Sequence, residues 1–130
     1  MTVLPVRGIG VDLCKIERMR RFIGKEAFLA RVFSEEERDY ALARSDPARH
    51  LAGAFAAREA LAKAGGWGLA KIGLKSLSVR HVDGRPFLSV GPDLRLLFDE
   101  AGVERAHLSL SHDGDYAVAV VLLEGREPAR

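Results

Sequence analysis

The stretch from Pro47 to Ala64, PARHLAGAFAAREALAKA, constrains this chain more than any other. Ala, Leu, Arg, Glu and Lys dominate it, residues that lose little side-chain freedom in a helix. Asp46 offers an N-cap, Pro47 suits the first helical position, and Gly65-Gly66 supplies the stop. An alanine-rich helix of this length needs a sheet face to pack on, so the rest of the sequence must provide strands.

Strands are readable on both sides of it. Val3 to Leu13, with β-branched valine and isoleucine among glycines, reads as one. Lys15 to Ile23 then places Ile16, Met19 and Ile23 at helical spacing, ending near Gly24. Ala27 to Val32 reads as a short helical turn. Ser34-Glu35-Glu36-Glu37 is a capping box opening a helix to about Arg44. Beyond the long helix, Leu74 to Val82 and Arg85 to Val90 flank Asp83-Gly84, a hairpin signal. Pro92-Asp93 opens a helix to about Ala101, closed by Gly102. Arg105 to Ser111 and Asp115 to Leu123 close the chain as strands around a turn at His112-Asp113-Gly114. The order predicts an α+β fold with a mainly antiparallel sheet packed against the long helix. A single domain is expected over residues 1–124, with 125–130 a frayed polar tail.

With 130 residues, 48% of them apolar, the chain is long enough to bury a core without disulfides or metals. Its one cysteine, Cys14, has no intrachain partner, which suits a reducing cytoplasm. No apolar run approaches the roughly 20 residues needed to cross a bilayer, and the start lacks the order of a secretory signal. A cytoplasmic location and no membrane contact are therefore expected. A net charge of +2 is too small to argue for nucleic acid. Its distribution is more informative: Lys15, Arg18, Arg20, Arg21, Lys25 and Arg31 face only Glu17 and Glu26 in the same segment, an excess that suits an acidic partner.

Asp12 follows Ile9 and Val11 at the end of the first strand, as a cap for the next helix or as a ligand. Glu59 and Lys63 form an i,i+4 pair, worth only ~0.2–0.5 kcal/mol on a solvated helix face. Brought together, the two acids with cations beside them can hold a hard divalent ion against a phosphate. Ser109, Ser111 and His112 are phosphate donors, although a turn histidine is commonly an ordinary surface residue. Gly65, Gly66 and Gly68 let backbone approach a nucleotide or merely stop the helix. Cys14 shares no ligand spacing with a histidine and reads as a small buried residue. Neither a zinc pattern nor a P-loop is present.

Three segments in order, GIGVDLCKIERM, FAAREALAKAG and LSLSHDGDYAVA, resemble the 4′-phosphopantetheinyl transferases, specifically the small holo-acyl-carrier-protein synthase type. The resemblance covers essentially the whole chain. It implies transfer of the phosphopantetheine arm of coenzyme A to a serine of an apo acyl-carrier protein, releasing 3′,5′-ADP, for fatty acid biosynthesis. It implies Mg²⁺ or Mn²⁺ on Asp12 and Glu59, with Glu59, directly or through a metal-bound water, as general base. Lys63 is then catalytic and, with His112, Ser111, Arg58 and Gly66, holds the coenzyme A co-substrate. Arg18, Arg21 and Lys25 are the expected grip on the acidic carrier. Arg58 departs from the lysine usual in the family, keeping the charge but not the compact geometry. Cys14 stands where larger monomeric relatives tend to carry a second acid, so the small trimeric type is the better match. That type implies a homotrimer with each active site between neighbouring subunits, Asp12 and Glu59 coming from one and part of the coenzyme A pocket from the next.

Two other readings compete. A non-catalytic module could use the Lys15–Arg31 segment to bind an acidic carrier or nucleic acid, but it has few aromatics for stacking and leaves the two acids unexplained. A metal-dependent phosphohydrolase would need a denser run of carboxylates and histidines.

Overall fold

A computed structural model describes residues 4–126. The chain begins with β1 (Val6–Lys15), α1 (Ile16–Arg20), α2 (Glu26–Val32) and α3 (Glu35–Leu42). The long helix α4 (Pro47–Gly65) and the short α5 (Leu69–Ile72) follow, then β2 (Leu77–Val82), β3 (Arg85–Val90), α6 (Pro92–Ala101), β4 (Val103–Asp113) and β5 (Tyr116–Gly125). Strands β1, β5 and β4 form a three-stranded antiparallel sheet in that order, and β2 with β3 a separate antiparallel pair. The expected α+β class, antiparallel strands with a long helix, is what is found.

Alternation along β1 and β5 explains how α4 sits. Ala117, Ala119, Val121 and Leu123 are buried toward the helix, and so are Gly10 and Cys14 of β1. Facing them, α4 buries Leu51, Ala52, Ala56, Ala57, Ala60 and Leu61, all at most 1% exposed. Each of its two buried leucines contributes ~1.5–3 kcal/mol relative to an exposed one. The alanines leave so little bulk that backbone meets backbone. A Cβ on Gly8 would fall on the carbonyl oxygen of Ala64, and one on Gly10 on that of Ala60. This contact carries Asp12, two residues on, to the last turns of α4.

Local signals set most boundaries. The Ser34 hydroxyl accepts from Glu37 N–H at 3.1 Å while the Glu37 carboxylate accepts from Ser34 N–H at 2.8 Å, completing the capping box. Gly66 ends α4 in the left-handed conformation with φ 70°. Asp83 and Gly84 both take positive φ, 51° and 78°, as the tight hairpin requires.

Four expectations are corrected by longer-range contacts. β1 continues past Asp12 because Cys14 pairs with Ala117 and Lys15 with Tyr116, and Ile16 N–H donates to Asp115 O at 2.8 Å. Asp12 is therefore mid-strand and caps nothing, and α1 is a single short turn. Asp46 does not cap α4 with its side chain, since its carboxylate is taken by Arg20 at 2.9 and 3.4 Å. His112 lies in β4 opposite Ala117, and the turn is at Gly114-Asp115. Gly125 and Arg126 are held, their N–H groups donating to Pro5 O (3.0 Å) and Gly102 O (2.9 Å), so the expected frayed tail does not begin at 125. Residues 127–130 lie outside those described. Helix α5 was not expected at all. Among the described residues, no helix is long and apolar enough to cross a membrane.

Candidate active site

Phe55, Glu59 and Lys63 recur every fourth residue of α4 and form one stripe beside β1. With Asp12, Leu13 and Cys14 from the strand, Arg18 and Met19 from α1, and Phe22 and Phe28 beyond it, they line a cleft of about 390 Å³. The Phe22 and Phe28 rings stack 4.0 Å apart and give the cleft an apolar wall opposite its charges.

Within it, the Lys63 ammonium donates to Asp12 Oδ1 at 2.8 Å and to Val11 O at 3.2 Å. The i,i+4 partner Glu59 is passed over in favour of the strand. The hydrogen bond and charge of Asp12 hold Lys63 protonated more firmly than usual. Asp12 and Lys63 thus balance each other, and Glu59 is the surplus carboxylate. Burial, then the charge of Asp12, push its proton affinity up, with Lys63 opposing. Burial likewise raises the Cys14 thiol, which keeps it from acting as a thiolate.

This donor set bears on a metal. Among the described residues there is no cluster of three or more His, Cys, Asp or Glu of the kind that cages zinc. Two hard carboxylate donors instead fit an ion that retains waters and takes its remaining ligands from phosphate, as Mg²⁺ does. Burial and the like charge of Asp12 both disfavour an ionised Glu59, and a cation beside the two carboxylates would offset that.

A second cleft, of about 250 Å³, opens on the other flank of α4. Arg49, His50 and Gly53 of the helix meet Tyr40 of α3, His81, Gly84 and Pro86 of the hairpin, and Leu110, Ser111 and His112 of β4. Tyr40 stacks on His81 at 3.9 Å with the rings 2° from parallel, and Arg44 lies 3.5 Å from the Tyr40 centroid. His50 meets the same ring edge-on. Burial first, then neighbouring arginines, keep His50 and His81 below the ordinary imidazole range. Arg49 Nε and His81 Nδ1 are buried without a protein hydrogen-bond partner. Cationic and aromatic, this cleft suits an anion attached to a flat ring.

The sequence-derived candidates therefore separate. Asp12, Glu59, Lys63 and Arg18 share the first cleft; Ser111 and His112 line the second. A helix about 10 Å across stands between them, so one chain does not bring Lys63 and His112 to a common phosphate. Gly66 caps the helix and lines neither cleft. Arg21 and Lys25 are exposed near the first, Lys25 lying 5.5 Å from the Phe22 centroid. Arg58 is displaced outright: its side chain is 0% exposed and ion-paired with Glu37 at 2.6 Å. It cannot reach a bound cofactor. The sequence reading missed Tyr40 of α3, Arg49 and His50 of α4, His81 of β2 and Pro86 of β3, four elements that share no local pattern.

A family model described as the 4′-phosphopantetheinyl transferase superfamily matches residues 8–121. The chain is 48% identical over 123 residues to a holo-acyl-carrier-protein synthase of Syntrophotalea carbinolica, covering 91% of this chain and 95% of that protein. Its fold matches the crystal structure of the holo-acyl-carrier-protein synthase from Neisseria meningitidis with a TM-score of 0.83 at 33% identity, over 92% of this chain and 99% of that one. A Bacillus anthracis holo-acyl-carrier-protein synthase in complex with coenzyme A (3′,5′-ADP) matches with a TM-score of 0.75 at 33% identity, over 93% and 98% of the two chains. Likeness on this scale extends over nearly the whole chain.

Proposed function

The chain belongs to the 4′-phosphopantetheinyl transferase superfamily, and from that we propose that it transfers the phosphopantetheine arm of coenzyme A to a serine of an apo acyl-carrier protein for fatty acid synthesis. The observation that carries this is the first cleft, where Asp12, Glu59 and Lys63 converge beside an apolar wall. The non-catalytic alternative leaves that convergence without a purpose.

Asp12 and Glu59 would hold Mg²⁺ or Mn²⁺, which supplies neutralisation of the diphosphate and of the charge that develops on the leaving group. Glu59 takes the proton of the carrier serine. The serine oxygen bonds to phosphorus, the bond from that phosphorus to the 3′,5′-ADP oxygen breaks, and the bisphosphate departs. Lys63, anchored by Asp12 and the Val11 carbonyl, keeps its positive charge at the cleft throughout. Arg18, Arg21 and Lys25 rim the same side and offer an acidic carrier a complementary surface. The second cleft takes the nucleotide end of coenzyme A, with His112 and Arg49 toward its phosphate and the Tyr40–His81 stack toward its ring.

One long substrate spanning two clefts on opposite flanks of α4 calls for a second subunit. The far face of the main sheet supports this. Ile9, Val11 and Leu13 are 65%, 53% and 61% exposed, and they continue across the register into Leu122, Val120 and Val118. Ser111 stands on that face opposite Val118. A contiguous apolar sheet face of this kind marks an association surface, and a homotrimer would join the first cleft of one subunit to the second cleft of its neighbour. Ile9→Glu, which the isolated chain has room for, is expected to give folded monomers that no longer transfer. Sedimentation and circular dichroism read both properties. Fully active wild-type monomers would sink the arrangement.

The function itself is tested by incubating the protein with apo-carrier, coenzyme A and Mg²⁺ and weighing the intact carrier. The carrier is expected to gain one phosphopantetheine. A carrier of unchanged mass under these conditions overturns the transferase proposal.

A further inference from the structure

Arg58 immediately precedes Glu59 in α4 but leaves the helix about 100° away, into the core. Its five N–H groups meet five acceptors. Nε donates to Leu74 O at 2.7 Å. Nη1 donates to Glu37 Oε2 at 2.8 Å and Ala54 O at 2.9 Å, and Nη2 to Glu37 Oε1 at 2.6 Å and Leu77 O at 3.1 Å. Glu37 completes its own shell with Ser34 N–H at 2.8 Å and Val79 N–H at 3.1 Å. The network therefore grips β2 at Leu77 and Val79. His81, the next residue on the same face of β2, forms part of the second cleft, and Gly84 and Pro86 follow around the hairpin.

The hairpin shares no ladder with the main sheet, so no strand pairing sets its height along α4. Apolar packing holds layers together but tolerates sliding. A planar fork with fixed acceptor positions does not. Buried ion pairs gain little net stability over apolar residues of the same size, and fixing one arrangement is a better-attested use. Resting on the assignment of the second cleft to the nucleotide end of coenzyme A, we infer that Arg58 is a positioning residue for that substrate. It sets the hairpin wall of His81 and Pro86 against α4, while Glu59 beside it does chemistry on the opposite flank.

The test is Arg58→Lys, which keeps the charge but has three donors on one atom and cannot span five acceptors. Steady-state transfer is measured against coenzyme A and against apo-carrier, together with 3′,5′-ADP binding by calorimetry and thermal unfolding. The KM for coenzyme A and the Kd for 3′,5′-ADP are expected to rise about tenfold, with kcat and the carrier KM within about twofold. Trimethylamine N-oxide, which favours the folded state, should restore folded protein without restoring KM. Glu36→Ala, which cuts only the exposed Glu36–Arg80 link between α3 and the hairpin, should leave both constants unchanged. A lower unfolding temperature with unchanged KM and Kd would make Arg58 merely structural and overturn the inference. If Arg58→Lys does not fold, Arg58→Met is measured the same way and the same two outcomes decide. Wild-type protein that transfers nothing fails the functional proposal instead, and the two failures are distinct.

Discussion

Glu59→Gln is expected to slow transfer by ~10²–10⁴-fold, the usual worth of a positioned general base, and at the same time to make the protein more stable. The second effect follows from the sign of the Glu59 shift. Burial and the neighbouring Asp12 raise its folded-state proton affinity above that of the unfolded chain. The folded state therefore binds this proton better, and the contribution to stability is full below the ordinary carboxylate pKa of about 4.3. It is lost as pH rises through the raised folded value. At neutral pH the wild type carries an ionised carboxylate in a place that disfavours it, and glutamine removes that charge. Urea unfolding in EDTA should show the variant ahead at pH 7 and level with wild type at pH 3. Adding Mg²⁺ should stabilise wild type and leave the variant behind. A variant that unfolds earlier than wild type at pH 7 in EDTA, or that transfers normally, would remove Glu59 from its assigned role.

Glu37→Ala is expected to cost ~3–5 kcal/mol of stability, the range for stripping one partner from a buried ion pair. The Arg58 guanidinium would stay in the core without its counter-charge, and the Val79 and Ser34 N–H groups would each lose an acceptor. The double variant Glu37→Ala/Arg58→Met should unfold later than Glu37→Ala alone, because the stranded charge goes with the arginine. Losses that simply add would contradict this. The exposed Arg80–Glu36 pair, at 54% and 55% side-chain exposure, makes a useful contrast. Cutting it should change stability by ~0–1 kcal/mol.

How much of this could be read in the sequence depended on how far each cause lay along the chain. The Ser34 capping box, the Asp83-Gly84 turn and the Gly66 stop are complete within a few residues, and they formed as read. Asp46 looked like a cap by the same local rule, but Arg20, remote in sequence, took its carboxylate. His112 looked like a turn residue until β5 extended the ladder over it. Arg58 and Glu59 were hard to tell apart because α4 is buried around most of its girth, from Ala48 to Ala64. With no polar stripe to mark a solvent face, neighbouring charged residues gave no sign that one faces the cleft and the other the core. The second cleft was hidden more completely, since α3, α4, the hairpin and β4 each contribute residues that fold alone brings together.

The two glycines of β1 have a wider consequence. Where Gly8 and Gly10 lie against Ala64 and Ala60, carbonyl meets main chain with no side chain between. The gauge between the strand that bears Asp12 and the helix that bears Glu59 is thus cut into the polypeptide itself. The cleft walls can be retuned by substitution, since Phe22, Phe28 and Met19 meet the cleft through their side chains. The gauge has no such adjustment: its two glycines are kept or the track is broken.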